Sequence, residues 1–202
     1  MNEREKILNF AFEKFTSEGY YKTTMDDLAT ELRMSKKTIY KYFTSKQEIV
    51  NAVVDKLMNF AKGEVLPIIH SETNSVEKLV EISRFFFKIS SRLSSKFVED
   101  IRSYDLELWK KIHDFRSKMI FENFQVLLDQ GKKEEYIIDR PTIIMVTMFV
   151  TTIREVVNPD FIINNNFSLA EAGRITLELF HNAILTKKGR KIYKQYITGM
   201  VQ

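Results

Sequence analysis

Residues 23–46 read TTMDDLATELRMSKKTIYKYFTSK, and this stretch predicts two short helices joined by a tight turn. Thr24 is a typical N-cap, because its hydroxyl can accept a hydrogen bond from a free N–H group in the first helical turn. Asp27, three residues later, completes a capping box. Ser35 has the same position before the second helix, which we expect at about residues 36–43. The stretch is therefore typical of a helix-turn-helix.

The second helix has an apolar side and a basic side. Ile39 and Phe43 lie one turn apart, and Lys37 and Lys41 lie on the opposite side. A recognition helix requires this division, because its apolar side anchors it in the domain while its polar side enters the major groove of DNA.

The second part of this stretch carries charges of one sign. Residues 33–46 contain no acidic residue and five basic residues, which are Arg33, Lys36, Lys37, Lys41 and Lys46. A solvated lysine face is the usual meaning of such a run. Lysines in the first turn of a helix oppose its dipole, however, so a polyanionic partner explains them better. Basic charge, interleaved tyrosines and the helix-turn-helix pattern together indicate a segment that binds nucleic acid.

Three segments carry a family pattern: REKILNFAFEKFTSEGY at residues 4–20, TTMDDLA at 23–29 and MSKKTIYKYFTSKQEIV at 34–50. They resemble the N-terminal domain of the TetR family of transcriptional regulators, above all in Thr-Ile-Tyr at 38–40, the aromatic pair ending in Phe43 and the lysine three residues beyond. The resemblance implies an all-α fold. Its parts would be an N-terminal three-helix helix-turn-helix DNA-binding domain and a larger C-terminal helical domain for ligand binding and dimerisation. Arg33 departs from the family, which most often has Gly in the turn, and a left-handed backbone there would cost on the order of 1 kcal/mol.

We expect the basic side of the second helix to contact DNA. The residues predicted to face the groove are Lys36, Lys37 and Lys41. The residues predicted mainly to hold phosphates, partly because the resemblance implies it, are Thr24, Thr38, Tyr40, Tyr42 and Lys46. Lys46 begins a long fourth helix at about residues 46–62, whose positive N-terminal end favours a phosphate. An ordinary exposed lysine is the alternative at this position, whereas the matching lysine of TetR-like proteins touches the DNA backbone.

The composition predicts an all-α protein, and the length allows one large or two small domains. The 202 residues include three prolines and six glycines, and the net charge is +4. We place a helix-turn-helix DNA-binding domain at residues 1–46 and an all-helical effector-binding and dimerisation domain at residues 47–202. Gly63 and Pro67 are expected to mark the passage of the chain into the second domain. Further helices are expected at about residues 74–93, 96–104, 105–130, 141–157, 168–186 and 190–199.

The helices at 141–157 and 168–186 are apolar around most of their circumference. A helix that is apolar on all sides must be buried on all sides. One face can pack on its own subunit and the other on a second copy, so the pair predicts a homodimer; a central core helix in a monomer is the alternative. Helix-turn-helix dimers read two half-sites about one DNA turn apart, which predicts a palindromic operator in double-stranded DNA. TetR relatives dimerise through an equivalent helix pair, which forms a four-helix bundle.

The second domain is rich in aromatic and methionine side chains, and the resemblance implies a small-molecule pocket among its helices. The candidate effector contacts are Phe86, Trp109, His113 and Phe149. At helical spacing such residues belong to the core far more often than to a ligand cage. Apolar walls of such a pocket predict a small hydrophobic or aromatic effector, and the resemblance implies that this effector would release a repressor from DNA. The alternative is a helix-turn-helix DNA-binding protein without an effector, which acts architecturally or under the control of a protein partner.

Other functional classes find little support in the sequence. The chain has no cysteine, its three histidines are isolated, and no glycine-rich phosphate loop or nucleophile elbow is present. We therefore predict no enzymatic activity, no cofactor and no metal site. The first ten residues lack the apolar segment of a secretion signal, and the apolar run at 143–157 is too short and too polar to span a bilayer. A soluble cytoplasmic protein without membrane contact is expected.

Overall fold

The computed structural model describes residues 2–198, in which helices form all the regular structure. They are α1 (Glu3–Glu18), α2 (Met25–Leu32), α3 (Lys36–Tyr42), α4 (Lys46–His70), α5 (Ser75–Ser90), α6 (Ser95–Tyr104), α7 (Leu106–Lys133), α8 (Thr142–Val156), α9 (Pro159–Asn164), α10 (Leu169–Ile184) and α11 (Lys187–Thr198). The predicted all-α fold class, with an N-terminal helix-turn-helix and a larger helical C-terminal part, is confirmed. Among the described residues, none of the helices has the length and apolarity needed for a membrane crossing.

The caps of α2 and α3 form as the sequence predicts. Thr24 Oγ1 accepts a hydrogen bond from the Asp27 N–H at 3.1 Å, and the Asp27 carboxylate accepts one from the Thr24 N–H at 2.8 Å. Ser35 Oγ accepts from the Thr38 N–H at 3.1 Å, which starts α3. Between the two helices Arg33 has φ 53° and ψ 42°. The left-handed turn is therefore made without glycine, at a cost on the order of 1 kcal/mol.

α4 is longer than predicted. It continues through Gly63 and Pro67 to His70, so these two residues do not end the helix. Proline in a helix interior costs about 3 kcal/mol, because it removes a backbone hydrogen bond and crowds the preceding turn. Val65 and Ile69, on either side of Pro67, pack into an apolar core. Ile69 is buried and Val65 half-buried, and this burial offsets part of that cost, because a fully buried aliphatic side chain contributes roughly 1.5–3 kcal/mol.

The remaining predicted helices are present, with bounds that differ from the expected ones by at most three residues. α9 was not predicted, because a six-residue helix contains too few turns to show a periodic pattern. Its cap is Asn158, whose side chain accepts a hydrogen bond from the Phe161 N–H at 3.0 Å. Gly199, the last residue of the predicted terminal helix, lies outside the described residues.

The chain packs into two compact units. The first unit runs to Phe60 and also includes Arg92–Ile112. The second unit comprises Ala61–Ser91 and the chain from His113 onward. The first unit therefore contains α1 to α3, the first part of α4, α6 and the beginning of α7.

Side chains from α4 and α6 complete the core of the first unit. Its fully or almost fully buried apolar residues include Ile7, Ala11, Phe15, Tyr20, Leu28, Ile39, Phe43, Ile49, Val50, Val53, Val54, Phe97 and Ile101. The first compact unit thus extends beyond residue 46, where the predicted DNA-binding domain ends. The assignment of DNA-binding, effector-binding and dimerisation roles to these segments stays a prediction.

The core of the second unit is formed mainly by α5, α7, α8 and α10. Its buried residues include Val76, Leu79, Phe124, Leu127, Leu128, Met145, Val146, Phe149, Ile153, Leu177 and Ile184. α10 packs on α5 and α8, and α11 packs on α5. Gly173 permits the contact between α10 and α5, because a Cβ atom at this position would overlap the ring of Phe86.

Candidate nucleic-acid interface

α3 is anchored by its apolar side and exposes its basic side. Ile39 and Phe43 are fully buried in the first core. The guanidinium of Arg4 lies 4.9 Å from the centre of the Phe43 ring and covers it from the N-terminal helix. Lys37 and Lys41 are exposed, as the helical projection predicts. The geometry needed by a recognition helix is therefore present.

The exposed side of α3 carries Lys37, Tyr40 and Lys41. Lys37 makes no hydrogen bond or ion pair within the described part of the chain. Tyr40 is 47% exposed. The Lys41 ammonium lies 5.2 Å from the centre of the Tyr42 ring, so it is held beside an aromatic face and keeps its hydrogen-bond donors. These groups can reach base edges or phosphates without breaking a contact to a carboxylate.

Lys36 is less free than the sequence suggested. Its ammonium lies 2.6 Å from the carboxylate of Asp26 on α2, and both side chains are 59% exposed. An exposed ion pair of this kind is worth about 0–1 kcal/mol, so a phosphate can compete for the lysine. No local pattern could reveal this pair, because the two residues belong to different helices.

Thr24 and Thr38 are engaged in helix capping. Thr24 Oγ1 donates to the Asp27 carboxylate at 2.7 Å, and Thr38 Oγ1 lies 2.8 Å from Ser35 Oγ. The Thr24 N–H and hydroxyl hold the pKa of Asp27 below its ordinary value. Both threonines lie at the ends of helices on the surface, so a phosphate contact would be added to the capping role.

Tyr42 points toward α1. Its hydroxyl donates a hydrogen bond to the Glu3 carboxylate at 2.9 Å, and its side chain is half-buried. The tyrosine therefore joins the recognition helix to the start of the chain. A phosphate contact by the same hydroxyl would have to share it with Glu3.

Lys46 is held in place by the loop between α1 and α2. Its ammonium donates to the carbonyl oxygens of Tyr21 at 2.8 Å and Tyr20 at 3.3 Å. The same nitrogen lies 5.8 Å and 5.9 Å from the centres of the Tyr20 and Tyr21 rings. Burial lowers the pKa of Lys46, and the charge of Asp100 opposes that change. An ammonium group has three N–H donors, so one remains for a phosphate.

Asp100 on α6 is a buried charged residue beside this loop that sequence reasoning missed. Its Oδ2 atom accepts hydrogen bonds from the N–H groups of Tyr20 at 2.8 Å and Tyr21 at 2.9 Å. Its Oδ1 atom lies 3.0 Å from the ammonium of Lys96, whose side chain reaches the surface. Burial, together with the charges of Asp105 and Asp100, raises the pKa of Tyr20 to about 12. A separation of 80 residues between Tyr20 and Asp100 leaves no periodic signal that could have paired them.

The model of the family described as "Bacterial regulatory proteins, tetR family" matches residues 7–53, which include the whole helix-turn-helix and the start of α4. The N-terminal segment of this chain therefore matches the TetR family. The match supports a DNA-binding transcriptional regulator.

Similarity to other proteins extends beyond residues 7–53. A Bacillus subtilis (strain 168) protein named as the uncharacterized HTH-type transcriptional regulator YvaF is 25% identical over 184 residues, which are 89% of this chain and 94% of the relative. The HTH-type negative transcriptional regulator IcaR of the Staphylococcus epidermidis biofilm operon icaADBC is 24% identical over 145 residues, with 66% of this chain and 76% of IcaR covered. A putative transcriptional regulator from Saccharomonospora viridis, solved in complex with choline, has the same fold. Its TM-score is 0.70 at 16% identity, with 91% of this chain and 98% of that chain covered.

The helix pair of the predicted TetR-like dimer interface has an inner and an outer apolar face. On α8, Val146 and Phe149 are buried, whereas Ile144 and Met148 are 55% and 62% exposed. Leu179 of α10 is 66% exposed. An apolar groove of about 450 Å³ is lined by Thr152, Val156, Phe161, Phe167, Ala172, Ile175, Thr176, Leu179 and Phe180. The pair thus buries one face in its own unit and leaves the other exposed.

The four candidate effector contacts have different surroundings. Trp109 is half-buried against the core of the first unit, and Phe86 packs against the second core, which includes Phe149. Phe149 stacks on Phe124 with 4.6 Å between ring centres, and Phe86 packs against Gly173. Burial lowers the pKa of His113 to about 4. Periodicity could not separate these packed side chains from pocket walls, because both kinds of residue face inward on their helices.

Proposed function

We propose that this TetR-family chain is a repressor that binds a palindromic operator as a homodimer and is released by a small hydrophobic or aromatic effector. The observation that carries the proposal is the basic side of α3, where Lys37, Tyr40 and Lys41 are exposed around a helix anchored by Ile39 and Phe43. Such a side can place cations against phosphates and base edges at the same time. The name of IcaR as a negative regulator supports repression.

The second apolar face of α8 and α10 supports the homodimer. Ile143, Ile144 and Met148 on α8 and Leu179 on α10 are large apolar side chains with more than half of their surface exposed. An apolar patch of this kind on a soluble protein marks an interaction site. A second copy fits it best, because a twofold interface joins the same patch on both subunits and the same symmetry yields two recognition helices. The proposed interface is the helix pair at 141–157 and 168–186.

The effector belongs to the second unit in this proposal. The structural relative from Saccharomonospora viridis holds choline, so this fold can enclose a small molecule. The aromatic side chains of α5, α7, α8 and α10 would line such a site with apolar walls. Effector and operator must then weaken each other's binding by the same factor, because coupling between two binding sites is reciprocal.

A helix-turn-helix regulator without an effector is the second candidate function. It is favoured by the packing of the predicted effector contacts. The ring centre of Phe149 lies 4.6 Å from that of Phe124 and 4.4 Å from that of Phe180, and Phe86 fills the space beside Gly173. A thermal-shift screen with apolar and aromatic compounds separates the two. A compound that stabilises the protein and weakens operator binding supports the first function, and stabilisation without any effect on DNA supports the second.

Selection of bound duplexes from fragments of the encoding genome tests the DNA-binding function. We expect a small set of sites that share a palindrome with half-sites about one helical turn apart. Sedimentation of the complex should give two chains per site. Many dispersed sites without a common motif would contradict an operator-specific repressor and support an architectural role.

A further inference from the structure

One peptide group in the loop between α1 and α2 is held by opposite charges at its two ends. The N–H of Tyr21 donates to Asp100 at 2.9 Å, and the carbonyl of Tyr20, in the same peptide group, accepts from Lys46 at 3.3 Å. Hydrogen bonds in such a chain polarise one another and become stronger. The position of the Lys46 ammonium therefore depends on a carboxylate that it does not touch.

The chain leaves space for this arrangement at Gly19. This residue has φ +86°, and a Cβ atom there would lie 2.6 Å from Asp100 Oδ2 and 2.7 Å from Lys96 Cγ. Any side chain would thus push α6 away from the loop. The absence of a side chain at residue 19 ends α1 and also allows Asp100 to reach the two amides.

Further contacts along α6 are made to α1 and to the same loop. The N–H of Ser94, the cap of α6, donates to the Thr16 carbonyl at 2.8 Å. At the other end of the helix, the ring of Tyr104 stacks on that of Tyr21, with 3.6 Å between centres and 11° between planes. α6 therefore holds the end of α1 and the loop that follows it, and Asp100 is a buried charged residue between these two contacts.

We infer that Asp100 is a positioning residue for DNA binding, which fixes the loop at Tyr20 and Tyr21 so that Lys46 presents its third N–H to a phosphate. The inference rests on the proposed function, since it assumes that Lys46 contacts the DNA backbone. A lysine held by two carbonyls gives up little further freedom when a phosphate arrives. Removal of Asp100 releases the two amides, and the carbonyls that hold Lys46 move with them.

The direction of the expected change in DNA affinity distinguishes a positioning role of Asp100 from a general effect of its charge. Removal of a carboxylate from a DNA-binding protein raises its positive charge, which by itself strengthens binding. A positioning role predicts weaker binding for Asp100→Ala, together with a shallower dependence of affinity on salt. Glu99→Ala is the matched control, because it removes the same charge from the neighbouring residue of α6, whose carboxylate lies 3.4 Å from the Lys96 ammonium.

The experiment measures the affinity for an operator duplex from the genomic selection across a range of salt concentrations. Lys46→Ala should lower the slope of log K against log salt by about 0.9 for each phosphate that the variant no longer neutralises. Asp100→Ala should lower the slope by the same amount, and the double variant should lower it no further. Asp100→Asn should restore the wild-type slope, because its amide oxygen can accept the same two hydrogen bonds. Glu99→Ala should keep or increase the slope.

Each failure has a separate meaning. A wild-type protein without salt-dependent DNA binding would overturn both the proposed function and the inference. Two other results would overturn the inference and leave the proposed function standing, provided that the wild type binds DNA. In the first, Lys46→Ala has the wild-type slope. In the second, Lys46→Ala has a shallower slope, whereas a folded Asp100→Ala has the wild-type slope. Circular dichroism verifies folding first. If Asp100→Ala does not fold, Asp100→Ser is measured instead, because its shorter hydroxyl keeps a polar group at the site but cannot reach both amides.

Discussion

The Lys36 ammonium lies 2.6 Å from the Asp26 carboxylate, so the first lysine of the recognition helix is paired with the preceding helix. This ion pair reduces the positive charge on the exposed side of α3 in the free protein. The Asp26 carboxylate opposes the attraction between Lys36 and a phosphate, and the exposure of both side chains keeps the free-energy cost of separating the pair small.

Asp26→Ala should therefore strengthen DNA binding. Because an exposed pair is worth about 0–1 kcal/mol, the gain in affinity should be at most about fivefold. Glu31→Ala is the control, since it removes an equal charge from the other end of α2, where Glu31 pairs with Lys14 at 2.9 Å. Fluorescence anisotropy with the selected operator gives both affinities. An equal gain for the two variants would mean that net charge, and not release of Lys36, is responsible.

Lys37→Ala should relax base preference. Lys37 is exposed on the middle of the groove-facing side and has no intramolecular partner within residues 2–198. A good contact to a base edge is worth about 1–3 kcal/mol of discrimination, so one position in each half-site should become tolerant of other bases. Repeated selection with the variant measures this directly. Lys110→Ala, an exposed lysine of α7, should leave the motif unchanged. An identical motif with Lys37→Ala would show that Lys37 contacts only the backbone.

Leu179→Glu should prevent dimerisation. Leu179 is 66% exposed on the outer face of α10, and a carboxylate there would have to be desolvated at the interface between two copies. We expect monomers in sedimentation velocity and much weaker operator binding, with unchanged helical circular dichroism. Gln195→Glu, which adds the same charge at an exposed position of α11, should stay dimeric. A dimeric Leu179→Glu would place the interface elsewhere.

Stability should fall as the pH decreases from about 6.5 to about 4. Burial lowers the pKa of His181 to about 4, below its ordinary value of 6.5, and its Nδ1 lies 3.1 Å from the Tyr193 hydroxyl. In this range the unfolded chain binds the proton and the folded chain does not, so the free energy of unfolding rises with pH. Between pH 7 and pH 5 this one histidine should account for about 2 kcal/mol. Urea unfolding of the wild type and of His181→Gln measures it, and an equal decrease in stability in the two proteins would exclude His181 as the cause.

Local sequence was sufficient for the fold class and for most of the recognition helix. The caps at Thr24 and Ser35, the buried pair Ile39 and Phe43 and the exposed Lys37 all follow from residues within one or two helical turns of each other. Such neighbours determine helix limits and helix faces, because the geometry of a helix places them at known distances.

Tertiary structure decided which of the predicted side chains are free and which are held. Lys36 is paired with Asp26, the Tyr42 hydroxyl is bonded to Glu3, and Lys46 depends on a loop that Asp100 fixes. It also decided that α6 packs with the first unit and that α8 keeps one apolar face exposed. The chain brings these partners together from positions 10 to 80 residues apart, and a pattern with the period of a helix carries no information about contacts between helices so distant in sequence.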